Sequence, residues 1–168
     1  MSGRRYALYG DADSREGRAF ALALAAKGLA FERVAATPVL AFALASRAGR
    51  EAEAYLRTPE GCLFGDVHAA LDHLERVHPS PAWRPTTPVR RVCARLLEDW
   101  LELWLPLWPE RTRAMLERIG THLARSPFLL GAVPTRPDGS LAAWLEGEAL
   151  RDPLLRLELA ERAPRLAD

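Results

Sequence analysis

Ala23-Leu24-Ala25-Ala26-Lys27-Gly28-Leu29-Ala30-Phe31-Glu32 is the stretch on which the fold turns. Its alanines and leucines favour a helix, and Gly28 can take the left-handed backbone that closes one. Phe31 to Val34 then has the residues of a short strand. Working backwards, the helical run begins near Arg15 and ends at Lys27, behind the polar turn Asp11-Ala12-Asp13-Ser14. Ahead of that turn, Arg4 to Tyr9 carries Tyr6, Leu8 and Tyr9 and stops at Gly10, which predicts a first strand.

Working forwards, Val39 to Arg47 has helical character broken by Gly49, and Leu56 to Phe64 predicts two short strands around a Pro59-Glu60-Gly61 turn. Asp66 is placed to cap a helix over Val67–Val77, in which Val67, Ala70, Leu71, Leu74 and Val77 recur at helical spacing. Strand, helix, strand, hairpin and helix is the order of a small α/β domain of the thioredoxin kind, covering residues 1–78. Pro79, Pro81, Pro85 and Pro88 make residues 79–88 a natural linker. Residues 89–168 read as all-helical. One helix is expected from Val89 to about Leu105, stopped by Pro106, and another over Pro109–Leu123. A loop follows over Pro127–Gly139, then a helix capped by Ser140, with Pro153 and Pro164 punctuating the tail.

Composition narrows the function classes. The chain has 168 residues, 49% of them hydrophobic and 27% charged, which suits a folded globular protein. A formal charge of +1 with dispersed arginines gives no basic stripe for nucleic acid and no polybasic run for a membrane surface. The opening residues lack the pattern of a secretory signal, and Val34 to Ser46 is too short for a membrane-spanning helix. Cys62 and Cys93 lack CxxC spacing and read as free thiols in a reducing cytoplasm. Lys27 is the only lysine, a bias that GC-rich coding would produce. His68, His73 and His78, five residues apart, are each rotated about 140° from the last on a helix, so no metal site is expected.

Four ordered blocks resemble the glutathione transferase family. The first is Leu8-Tyr9-Gly10, Ser14, Arg18 and the stretch from Ala23 to Glu32; the second is Thr58 to Gly61, Asp66, Leu71 and Leu74 to Pro79. The third is Arg95 to Trp100 and the fourth Pro127-Phe128-Leu129-Leu130-Gly131. The resemblance implies a thioredoxin-like domain followed by a shortened transferase-type helical domain. It also implies glutathione as co-substrate and a small hydrophobic electrophile as its partner. Ser14, at the mouth of the first helix, matches the family's thiolate-stabilising hydroxyl, with a plain helix cap as the structural alternative. Asp66 and Val67 match the start of the third helix, where the family grips the γ-glutamyl end. Glu53 and Ala54 match the edge that pairs with the cysteinyl unit.

The chain departs from the family pattern at several of these positions. Arg15-Glu16-Gly17 stands where the family has proline and an aromatic, Val67 where it has serine, and Ala54 where it has a cis-proline. The Glu53–Ala54 bond is therefore expected to be trans, since a cis bond before a non-proline residue costs about 3 kcal/mol. The family's central-helix capping box is expected to survive only as Ser140, its acidic partner replaced by Ala143. Trp100 and Trp104 lie one turn apart with Trp108 nearby. The face formed by Leu97, Trp100, Leu101 and Trp104 fits the family's homodimer contact, or a helical core. Two functions remain open: a glutathione transferase using Ser14, or a non-catalytic dimerising or ligand-binding module. A redox role for Cys62 or Cys93 is disfavoured because neither stands at the first helix.

Overall fold

Four short strands form a sheet in the order β2-β1-β3-β4 in the computed structural model, which describes residues 5–104, 109–147 and 149–167. The chain divides into two compact units, Met1–Pro81 and Ala82–Asp168. In the first, β1 (Tyr6–Gly10) leads through α1 (Arg15–Ala26) to β2 (Phe31–Val34), which lies parallel to β1 with Tyr6 opposite Phe31. After α2 (Pro38–Ala48), β3 (Ala54–Arg57) pairs antiparallel with β1, Gly10 opposite Ala54. β4 (Leu63–Phe64) adds antiparallel to β3, and α3 (Val67–Val77) closes the unit.

The consecutive buried residues Tyr6-Ala7-Leu8 of β1 and Ala54-Tyr55-Leu56 of β3, with the apolar faces of α1 and α3, supply one core. Leu8, Phe20, Leu24, Leu56 and Leu74 are its largest fully buried members. Gly28, at φ +66, ends α1 where the sequence places its stop.

The lone lysine has a structural role rather than only a coding origin. Lys27 is buried, and its ammonium lies 2.8 Å from a Glu75 carboxylate oxygen while donating to the carbonyls of His78 and Pro81 at 2.8 and 2.9 Å. Three acceptors around one –NH3+ match its three protons, an arrangement a planar guanidinium does not reproduce. The clasp joins the end of α1 to the end of α3.

The second unit holds α4 (Pro88–Asp99), a π-helical turn over Trp100–Trp104, α5 (Pro109–Leu123) and α6 (Arg136–Gly147). A 3-10 turn at Ala149–Arg151, α7 (Pro153–Arg162) and α8 (Pro164–Ala167) follow. Leu101, Leu116, Leu141, Trp144, Leu145 and Leu159 belong to its core. Leu101 is thus turned inward with Trp100 packed beside it, which takes half of the expected dimer face into this core. The Trp104 side chain, and Leu105, Pro106 and Trp108, lie outside the described residues.

One expectation is overturned at α6. The helix starts at Arg136, not after Ser140, so much of the expected loop's end is its first turn. Pro137 sits where a helix needs no N–H donor. The cap is Thr135 with Asp138 three residues on. The Asp138 carboxylate accepts from the Thr135 amide, the Thr135 hydroxyl and the Leu129 amide, each at 2.7 Å. The acidic partner three residues after the cap is therefore present, and the cap lies five residues before the position read from Ser140. Nearby, the buried Arg136 and Glu98 pair at 3.1 Å. The Arg136 amide also donates to the carbonyl of Trp83, at 3.0 Å. Trp83 is buried, although it lies in the stretch expected to be linker. Its ring passes so close to Gly139 that a Cβ there would stand 2.6 Å from it.

Candidate functional site

The ends of β1 and β4 and the start of β3 lie together at one end of the sheet, by the strand register. The chain segments that leave them carry every residue singled out for the site. Gly10 ends β1 at φ +97, and a Cβ there would lie 2.3 Å from the Glu53 carbonyl, so only glycine fits. The chain then turns through Asp11 to Ser14 into α1. Gly17 lets this turn lie against the helix: a Cβ would sit 2.3 Å from the Asp11 carbonyl. The glycine at the third position of Arg15-Glu16-Gly17 is therefore explained by close packing.

Ser14 caps α1 and is 7% exposed. Its hydroxyl donates to the Asp11 carbonyl at 2.7 Å and accepts from the Gly17 amide at 3.1 Å. The single proton is thus committed to a backbone oxygen, while the oxygen faces the positive end of α1. Asp13 pairs with Arg18 at 3.1 Å on the outer side of the same turn.

Glu53 precedes β3, and the chain itself uses both of its backbone polar groups. The carbonyl accepts from the Asp11 amide at 2.9 Å, extending the β1–β3 ladder by one bond. The amide donates to a carboxylate oxygen of Glu16 at 3.0 Å. Ala54 is fully buried. Among the described residues the cis peptide is Ser80–Pro81, so Glu53–Ala54 is trans, as its residue types require. The Tyr55 hydroxyl holds the approach to β3, accepting from the Ala52 amide at 3.0 Å and donating to the Arg50 carbonyl at 3.2 Å.

Asp66 caps α3, taking the Ala69 amide at 2.8 Å through one oxygen. Its other oxygen lies 2.7 Å from Arg50, and both side chains remain substantially solvent-accessible. Val67 is the first residue of the helix, at its positive end. The structure thus brings Ser14, Glu53, Ala54, Asp66 and Val67 to one sheet end. Asp11 and Glu16 tie the first of these to Glu53, and Arg50 ties the approach to β3 to Asp66. Glu16 and Arg50 were not singled out by the sequence. Both are exposed or half-buried charged residues of ordinary type, and only their partners distinguish them.

Three groups of this unit, Tyr6, Glu60 and His73, have perturbed titrations. The Tyr6 hydroxyl is 2.8 Å from His78 Nε2, and burial, with Glu60 adding to it, raises the phenol above its ordinary value. A hydrogen bond from Thr58 holds the Glu60 carboxyl below the usual range. Burial, then the Arg76 guanidinium 3.0 Å away, lowers the His73 imidazole. His78 faces Tyr6 while His73 lies against Phe64 with ring centres 5.0 Å apart. No helix among the described residues is long and apolar enough to cross a membrane.

No protein-family model and no curated protein matches the sequence. Solved structures do match the fold. A rice glutathione S-transferase in complex with glutathione superposes with a TM-score of 0.77 at 19% identity, over 99% of this chain and 86% of that one. A glutathione S-transferase from Rhodospirillum rubrum gives 0.75 at 21% identity, over 96% and 84%. One from Methylobacterium radiotolerans, in complex with glutathione sulfonate, gives 0.73 at 25% identity, over 97% and 87%.

Proposed function

Because this chain has the fold of the glutathione S-transferases, we propose that it is a glutathione S-transferase-like protein. In this reading it binds glutathione at the sheet end formed by Ser14, Glu53, Ala54, Asp66 and Val67. It then conjugates the thiol slowly to small hydrophobic electrophiles. The observation that carries the reading is the convergence of these five residues, from three separate parts of the sequence, on that one end.

The Asp66 carboxylate supplies a partner for the glutathione ammonium, and the positive end of α3 at Val67 suits the neighbouring carboxylate. Val67 has no hydroxyl, so one hydrogen bond to a charged group is lost, worth about 1.5–3 kcal/mol, or one to two decades of affinity. Ser14 would hold the sulfur as thiolate, against an ordinary thiol pKa of about 8.5. To do so, the hydroxyl must turn its proton from the Asp11 carbonyl towards the sulfur. The thiol proton leaves to solvent, and the sulfur lone pair forms the new bond to the electrophilic carbon. The bond from that carbon to its leaving group breaks, the group departing as an anion such as halide with the electron pair. The exchange at Ser14 trades one neutral hydrogen bond for one to an anion. The bond to the anion favours that exchange, while the existing 2.7 Å bond that must first break opposes it.

A second reading, a non-catalytic module of the same fold, is favoured by the engagement of both Glu53 backbone groups. Turnover of a generic aromatic electrophile with glutathione separates the two. Slow wild-type conjugation, reduced at least about tenfold in Ser14→Ala, supports the first. Equal rates in both proteins rule out Ser14 as the thiolate's partner, and no turnover in either favours the second.

We further propose a homodimer. Val89, Val92 and Leu96 form an exposed stripe on α4 at helical spacing, 60–74% exposed, and such a stripe suits a self-contact. A monomeric mass by light scattering would remove the dimer. A cytoplasmic location fits the two exposed cysteines, which a reducing compartment keeps as thiols.

A further inference from the structure

We propose that Glu16 is a built-in competitor for the glutathione site and sets its affinity from within the chain. The inference rests on the glutathione reading above and concerns the region between Ser14 and Glu53. Glu16 stands in the first turn of α1, two residues after Ser14. Its carboxylate accepts the Glu53 amide at 3.0 Å. The partner carbonyl of Glu53 is already taken by Asp11, so Glu16 completes the engagement of that residue's backbone.

An extended thiol peptide laid along the start of β3 needs a backbone donor there. The Glu53 amide donates to Glu16 in the first turn of α1, the helix that Ser14 caps, and Glu16 holds it. A ligand carbonyl must displace a carboxylate, and hydrogen bonds to ionised acceptors are about twice as strong as neutral ones. The carboxylate is also held in the first turn by the positive end of α1.

Charge acts in the same direction. A sulfur held by Ser14 would ionise at the same helix start that carries the Glu16 carboxylate, and a neighbouring like charge disfavours the thiolate. Occupation and charge are separable by substitution. Glu16→Ala frees the amide and removes the charge. Glu16→Gln removes the charge but keeps an oxygen able to accept from the amide.

The test is glutathione titrated calorimetrically into the wild type, Glu16→Ala and Glu16→Gln, with bound thiolate followed by its ultraviolet absorbance. The expected result is binding about tenfold tighter in Glu16→Ala than in wild type, the loss of one charged competitor. Glu16→Gln should bind with intermediate affinity and ionise the bound thiol at lower pH than wild type. In the ligand-free protein, hydrogen exchange at the Glu53 amide should be at least about tenfold faster in Glu16→Ala. Equal affinities in all three proteins, with glutathione bound by each, overturn the competitor and leave the binding site standing. Absence of binding in all three overturns the glutathione reading, and the competitor falls with it. Unchanged Glu53 exchange in Glu16→Ala also overturns the competitor, independently of any ligand. Circular dichroism of each variant confirms that the comparison is between folded proteins.

Discussion

The two ends of the first unit's sheet satisfy their polar groups in opposite ways. At the start of β1, Lys27 is buried among Glu75, His78 and Pro81. At the end of β1, the caps Ser14 and Asp66 and the Glu53 backbone are also fully provided with partners. There the ion pair Arg50–Asp66 and the Glu16–Glu53 bond face solvent. The first arrangement cannot be exchanged for a ligand without exposing a buried charge. The second can, because water or a ligand is able to replace an exposed partner without leaving a buried charge unpaired. One end is built to hold the fold and the other is able to trade partners.

The contrast is sharpest at Lys27. Lys27→Met would leave the Glu75 carboxylate and two carbonyls without their cation, a loss of about 3–5 kcal/mol by the usual cost of breaking a buried pair. Urea unfolding should show it, and Lys27→Arg should restore only part. A loss below about 1 kcal/mol would erase the difference between the two ends.

Asp138 extends the comparison to the second unit. It is a carboxylate with three donors at 2.7 Å at the cap of α6. Asp138→Ala is expected to cost about 2 kcal/mol in the same assay, at the upper end for a helix cap. Asp66→Ala removes an exposed cap and should cost about 1 kcal/mol of stability. It should also weaken glutathione binding at least about tenfold, since the ammonium loses its counter-ion. The order of the two stabilities, with binding moving only for Asp66, is the check.

The smallest effect is in pH. The His73 imidazole is held below its ordinary 6.5 in the folded protein, so protonation favours the unfolded chain. The stability His73 contributes is present above that value and is lost as pH falls through the lowered one. Melting temperature should therefore decline slightly from about pH 6.5 downwards, and less so in His73→Gln.

Much of the first unit was legible because its signals are local. Phe31–Val34 and Val67–Val77 begin and end where residue pattern and caps place them, and Gly28 stops α1. Ser14, Glu53, Ala54, Asp66 and Val67 were marked as site residues by the family resemblance rather than by the local pattern. What they bond to was not legible. Whether a serine hydroxyl is committed to a carbonyl depends on a turn made possible by Gly17, and whether the Glu53 amide is taken depends on a glutamate 37 residues away. The α6 boundary was misread because Pro134 and Pro137 look like loop. A proline at the first turn is compatible with helix, and Thr135 with Asp138 carries the start signal. Lys27 was visible as the sole lysine, but only the carbonyls of His78 and Pro81, brought beside it by folding, give its reason.

The central claim is that glutathione binds at the Ser14 end of the sheet, and the most direct measurement is its titration into the isotope-labelled protein, followed at backbone amides. The account predicts saturable shifts concentrated at Gly10 to Gly17, Glu53–Ala54 and Asp66 to His68, and none comparable around Lys27. Saturable shifts centred elsewhere, or no shift at millimolar glutathione, would contradict it.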